Sequence, residues 1–147
     1  MMIIGDGGHA SVIREFAPWW KIGCVLAIGD NMLRKNAAGG LNKLLCPPLI
    51  HPKAIVSPSA RIGRGTVVMA GAIIGPDVSI GRFCIINHGC SVDHGCFLND
   101  YVHIAPGARL CGDVTVGEGA LIGAGAVCVP GAVIAPWSLV KAGSVAK

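Results

Sequence analysis

From Ile50 onward every sixth residue is a large aliphatic or Cys, and the register never slips. The series reads Ile50, Val56, Ile62, Val68, Ile74, Ile80, Ile86, Val92, Leu98, Ile104, Leu110, Val116, Ile122, Cys128, Ile134, Val140. At an apolar fraction of 52%, such a run arises by chance roughly once in tens of thousands of trials. The fifth position of each six is small, from Ala54, Ala60 and Thr66 through Cys84, Cys90 and Cys96 to Ser138 and Ser144, and Gly recurs at the second and fourth. A period of six is neither helical nor simply strand-like. It suits a short extended segment followed by a turn that Gly or a small polar residue makes cheaply. Three such segments close a triangular coil, and coils stack at the ~4.8 Å strand spacing so that backbone groups pair vertically. The large aliphatic fills the interior, and the small residue sits where the chain bends. The repeat therefore predicts a mostly β chain, a parallel β-helix of about five coils over residues 50–147.

A coil with so many inward positions accounts for a mean hydropathy of +0.63 without a membrane. No apolar run approaches the ~20 residues of a spanning helix. The opening Met1–Ala10 lacks the basic start and long apolar stretch of a signal peptide. No membrane span and a cytoplasmic location are expected. A balance of 12 basic to 8 acidic residues is too even and too scattered for a nucleic-acid binder. The seven cysteines form no CxxC pair and no zinc-finger spacing, and are expected to be reduced thiols.

Residues 1–49 lack the period. Met1–Ile4 reads as a strand running into Gly5, Asp6, Gly7, Gly8, His9 and Ala10, followed by a helix over about Ser11–Trp19 and a second strand over Val25–Ile28. Gly29, Asp30 and Asn31 turn the chain and cap a helix from about Met32. This is a small βαβα piece whose Gly-rich first turn could bring backbone N–H groups to a phosphate; a plain strand-to-helix turn is the other reading. So short a piece buries little core and is expected to lean on the first coils. Pro47 and Pro48 mark the boundary, dividing the chain into 1–49 and 50–147.

Three stretches resemble one family. They are Ile3–Ala10, Ala27–Lys35, and Ile50, His51 and Pro52 leading into the repeats, with Ile86-Asn87, Val92-Asp93-His94 and Val102-His103-Ile104 inside them. They look like the hexapeptide-repeat acyltransferases, in the subfamily of bacterial nucleotide-sugar N-acetyltransferases that act on 4-amino-4,6-dideoxy sugars. The resemblance implies a left-handed coil, although a parallel crossover is normally right-handed. It also implies acetyl-CoA as cosubstrate, a nucleotide sugar as acceptor, no metal, and a homotrimer with an acyl-CoA cleft between subunits. The chain departs from the family pattern in three places. Only Lys21–Cys24 bridges a gap where relatives carry about two dozen more residues, Gly95 stands where they carry an acid, and Lys147 precedes their Gly-x-Pro-Ala-Lys tail.

Acetyl transfer from a thioester to an amine needs a base, donors for the tetrahedral oxyanion and a groove for the acyl-CoA. His94 falls at an outward turn position, and an imidazole with an ordinary pKa near 6.5 suits the base. Asp93 either orients an imidazole or stabilises its own turn. By resemblance Asn87 lies near the reacting groups, His103 contacts acetyl-CoA, and the backbones of Gly112 and Ala124 line the CoA groove. Gly7, Gly8, His9 and Gly29 contact the nucleotide sugar on the same ground. Gly95→Glu is expected to raise activity by supplying a carboxylate. The trio His88, His94 and His103 also resembles the zinc ligands of γ-class carbonic anhydrases, but their two-His spacing is absent and zinc needs three converging ligands. Cys84, Cys90 and Cys96 read as a layer of small buried residues. O-acetylation of a related sugar and a catalytically silent scaffold remain alternative readings.

Overall fold

The computed structural model describes residues 2–16, 23–41 and 45–147. From Leu49 onward the chain forms two-residue strands separated by four-residue turns, all pairing in parallel. The first face stacks β3 (Leu49–Ile50), β6 (Val67–Val68), β9 (Ile85–Ile86), β12 (His103–Ile104), β15 (Leu121–Ile122) and β18 (Leu139–Val140). The second stacks β4 (Ile55–Val56), β7 (Ile73–Ile74), β10 (Ser91–Val92), β13 (Arg109–Leu110), β16 (Val127–Cys128) and β19 (Val145–Ala146). The third stacks β5 (Arg61–Ile62), β8 (Ser79–Ile80), β11 (Phe97–Leu98), β14 (Thr115–Val116) and β17 (Val133–Ile134). This is the parallel β-helix the repeat anticipates, left-handed as the family resemblance implies. Each residue pairs with its counterpart in the next coil, as Val92 does with Ile74 and Leu110.

The interior is the expected one. Val68 through Ile134 at the sixth positions, and Ala72 through Ala132 at the small positions, form one continuous buried cluster. Cys84, Cys90 and Cys96 lie within it, and burial pushes the thiols of Cys84 and Cys90 up to about 12. From Gly65 onward the fourth residue of each turn takes a positive φ, even where it carries a side chain, at Asp77, Phe83, Tyr101, Asp113 and Trp137. The ring of Phe83 lies over Gly65 and that of Trp137 over Gly119. An aromatic column thus runs along the corner between the third and first faces.

The N-terminal piece is β1 (Met2–Ile4), α1 (Gly8–Phe16), β2 (Cys24–Leu26) and α2 (Asn31–Gly39), with β1 and β2 parallel. Helix α1 begins three residues before the expected Ser11, because Gly8, His9 and Ala10 already turn helically; its expected end at Trp19 lies outside the described residues. Asp30 caps α2, its side chain accepting from the Leu33 N–H at 2.8 Å. Ala10, Ile13, Val25 and Ala27 pack on Leu49, Val67 and Met69, so the small piece borrows the outer side of the first face as its core. One expectation is corrected. Cys24 and Cys46 are joined by a disulfide, because β2 runs beside the segment entering the coils and the Cys24 N–H donates to the Leu45 carbonyl. Cys84, Cys90, Cys96, Cys111 and Cys128 are free.

Candidate functional site

Two parallel strands ending in turns that start helices leave a crevice at their carboxyl ends, the usual ligand position in such sheets. Here it is a cavity of about 340 Å³ lined by Gly5, Asp6, Gly7, Gly8, His9, Ala27, Ile28, Gly29, Asp30 and Leu33. All four residues assigned to the nucleotide sugar, Gly7, Gly8, His9 and Gly29, are among them. Burial, then the charge of Arg34 and the nearby His88, lowers the His9 pKa to about 4, and its Nε2 is buried without a hydrogen bond.

Beneath this cavity a chain of hydrogen bonds runs into the β-helix. The side-chain Oδ1 of Asn87 accepts from the backbone N–H of His88 at 2.8 Å, which turns the Asn87 side-chain nitrogen toward His103 Nε2 at 3.2 Å. His88 Nδ1 also meets Asn87 Oδ1 at 2.9 Å. His103 therefore accepts at Nε2, and its ring donates to the Gly29 carbonyl on the cavity wall. Burial, followed by the charge of Arg34, lowers the His103 pKa to about 4, so the ring is neutral at physiological pH.

Arg34 organises this junction, a role the helical pattern alone does not reveal, since an Arg-Lys pair on a short helix reads as a solvated face. It is 1% exposed. Its Nε donates to the Phe83 carbonyl at 2.8 Å, Nη1 to Ile28 and Gly29, and Nη2 to Asn31 Oδ1 and the Tyr101 carbonyl. Burial lowers its pKa only to about 10, so the charge persists. The signal that could have found it is its place in the Ala27–Lys35 stretch.

His94 lies elsewhere. Asn87 opens the turn before β10, and Asp93 and His94 open the turn after it, so the two groups occupy successive corners of the triangle. The His94 ring rests on Gly112, and Asp93 Oδ1 accepts from the His94 backbone N–H at 2.7 Å. A cavity of about 320 Å³ opens beside them, lined by Ile73, Gly75, Ser91, Val92, Asp93, Arg109, Leu110 and Cys111. Ala124 is exposed at the corner of Asn87, not that of Gly112. One chain thus brings together His9, Asn87 and His103, and separately Asp93, His94 and Gly112. Among the described residues no three His, Cys, Asp or Glu side chains are arranged to hold a metal ion.

The bacterial transferase hexapeptide (six repeats) profile matches residues 59–94 and 95–130. A perosamine N-acetyltransferase of Caulobacter crescentus, solved with CoA and GDP-perosamine, is 34% identical at a TM-score of 0.93, the match covering 99% of this chain and 87% of that one. The chain belongs to the hexapeptide-repeat sugar N-acetyltransferases. A second member, the acetyltransferase domain of PglB from Neisseria gonorrhoeae, is 30% identical at a TM-score of 0.94, covering 99% and 90%. The same domain solved with acetyl coenzyme A is 32% identical at 0.89, covering 97% and 87%. The UDP-N-acetylbacillosamine N-acetyltransferase of Bacillus subtilis is 41% identical over 107 residues, 46% of this chain and 50% of that enzyme. The chain thus spans about half the length of that curated family member.

Proposed function

We propose that the protein transfers the acetyl group of acetyl-CoA to the amine of a nucleotide-linked 4-amino-4,6-dideoxy sugar. The observation that carries this reading is the cavity over Gly7, Gly8, His9 and Gly29, built in a chain that matches a GDP-perosamine-bound enzyme over nearly its whole length. Residues 1–49 serve as the nucleotide-sugar half and 50–147 as the acetyl-transfer half. The α1 N-terminus and the Gly-rich turn offer N–H groups to a diphosphate, with His9 Nε2 free to donate or accept beside them.

His94 acts as general base. The sugar amine attacks the thioester carbonyl, forming the C–N bond and a tetrahedral oxyanion. His94 takes the amine proton, the C–S bond breaks, and the proton passes to the departing CoA thiolate. His103, neutral and held by Asn87, contacts the acyl donor. The backbones of Gly112 and Ala124 line the CoA groove, and Asp93 supports the turn that presents His94. The reaction calls for no metal.

The separation of His94 from Asn87 and His103 on successive corners favours a homotrimer in which one subunit's His94 faces the His103 of the next. Exposed apolar residues on the second and third faces, Ile73 at 46%, Phe97 at 48% and Val133 at 72%, favour such contacts. No helix among the described residues is long and apolar enough to cross a membrane, and we place the enzyme in the cytoplasm. The test is thiol release from acetyl-CoA against GDP-perosamine and UDP-linked 4-amino sugars, with product mass. A gain of one acetyl group on the amine supports the reading. Acetylation of a hydroxyl instead, or acetyl-CoA binding with no turnover on any acceptor, overturns it.

A further inference from the structure

At the corner between the first and second faces, one side-chain amide is gripped at both ends. Asn87 follows β9, and His103 opens β12 one coil on, paired with Ile85 just before Asn87. Asn87 Oδ1 accepts twice from His88, from the backbone N–H at 2.8 Å and from ring Nδ1 at 2.9 Å. An amide oxygen carries no proton, so that ring nitrogen supplies one. The Asn87 nitrogen then faces His103 Nε2 at 3.2 Å and spends one of its two hydrogens there. His103 keeps its own proton on Nδ1, since Nε2 accepts and the ring donates to the Gly29 carbonyl. Arg34 Nη1 donates to that same carbonyl at 3.1 Å, which fixes it on the wall of the cavity above. Both His103 nitrogens are thereby taken. The second hydrogen of the Asn87 amide has no partner among the described residues, and Asn87 is half-buried at the corner.

We infer that His88 and His103 are positioning residues that lock the Asn87 amide, so that its remaining N–H donates to the carbonyl oxygen of the acyl donor. This rests on the reading above, which brings the acetyl thioester to this corner. As the amine attacks, the C–N bond forms and the carbonyl oxygen takes up the negative charge that the N–H meets. The C–S bond then breaks and the C=O bond reforms. The amine proton goes by way of His94 to the thiolate, while Asn87, His88 and His103 keep theirs. An unrestrained amide could turn its oxygen toward that charge and repel it. Two donors on Oδ1 and an acceptor at the nitrogen forbid the flip.

The test compares Asn87→Asp, His88→Ala, His103→Phe and His103→Gln with the parent. Each is assayed by thiol release from acetyl-CoA with GDP-perosamine and UDP-linked 4-amino sugars, and each is melted. Ring tautomers are read by NMR of protein labelled with a nitrogen isotope in its histidines, signals being assigned by their loss in the variants. His88 and His103 should both be protonated on Nδ1. Asn87→Asp keeps the shape without an N–H and is expected to lower kcat by ~10²–10³-fold. His103→Phe should lower kcat by ~10–10²-fold, with KM for acetyl-CoA nearly unchanged. His103→Gln can accept from Asn87 and donate to Gly29, and should recover most of that loss. His88→Ala keeps the backbone donor and should lose ~3–10-fold. The inference is overturned if His103 carries its proton on Nε2, or if Asn87→Asp keeps kcat within about twofold of the parent. It is also overturned if His103→Phe raises KM for acetyl-CoA and leaves kcat alone, the pattern of a direct contact, or if all the variants melt well below the parent. No acetylation of either acceptor by the parent brings down the underlying reading and this inference with it. The wrong tautomers in an active parent bring down this inference alone.

Discussion

His94 carries the heaviest demand placed on any single side chain. Replacing it with Ala removes the proposed base but no packing in the core, since the residue is exposed. We expect turnover to fall by ~10²–10⁴-fold, with acetyl-CoA affinity by calorimetry and the melting temperature little changed. Ala72 presents the opposite case. It is fully buried in the small layer of the coil, where neighbouring side chains already fill the interior. Ala72→Leu should cost ~1–3 kcal/mol, read as a lower denaturation midpoint. The His94 position was legible from its frame, because the third residue of every six projects from a turn. The seat of its ring on Gly112 was not, because it joins residues one full coil apart and depends on which way an exposed side chain leans.

At the scale of elements, the junction between α2 and the coils holds the cavity wall against His103. Arg34 donates there to the carbonyls of Phe83 and Tyr101, both in β-helix turns. Arg34→Ala leaves these buried acceptors unpaired and should cost on the order of 3 kcal/mol. Hydrogen exchange should then show α2 and β2 opening well before the coils. The junction also predicts a pH response. His9 and His103 have pKa values lowered from 6.5 to about 4 in the fold. Between those values the unfolded chain binds the protons the folded chain refuses, so stability falls as pH drops from 6.5 toward 4. Thermal melts across that range should show a declining midpoint, and His9→Gln should flatten it. A midpoint that rises on acidification would contradict the burial of these rings.

For the whole molecule, the two corners of the site make assembly a functional question. Light scattering should report the mass of three 15.0 kDa chains; a monomer mass would remove the shared cleft. A sharper check mixes subunits. If each site takes His94 from one chain and His103 from its neighbour, inactive His94→Ala and His103→Ala chains unfolded and refolded together should regain activity. Random assembly gives about a quarter of the parent value, because that share of interfaces carries both native histidines. No recovery would place both histidines at one chain's own site or elsewhere.

The coil could be read from the chain alone because its constraint is local and periodic. A turn every six residues and one inward aliphatic per turn leave a single way to bury the repeat, and Ile74, Ile104 and Ile122 obey it. The cap at Asp30 and the Gly-rich turn at Gly5–Gly8 were likewise visible, since each satisfies backbone groups within a few residues. Left-handedness came from family likeness rather than from the period. Tertiary structure alone decided three things: the burial of Arg34 among carbonyls from three turns, the Cys24–Cys46 link, and the placement of the Asp113 carboxylate over Gly95. The first two join residues whose separation in sequence has no period; the third spans one coil but turns on which way an exposed side chain leans, so no local pattern records any of them. Only the stacking of coils, and the docking of the small piece on their first face, brings those groups within reach.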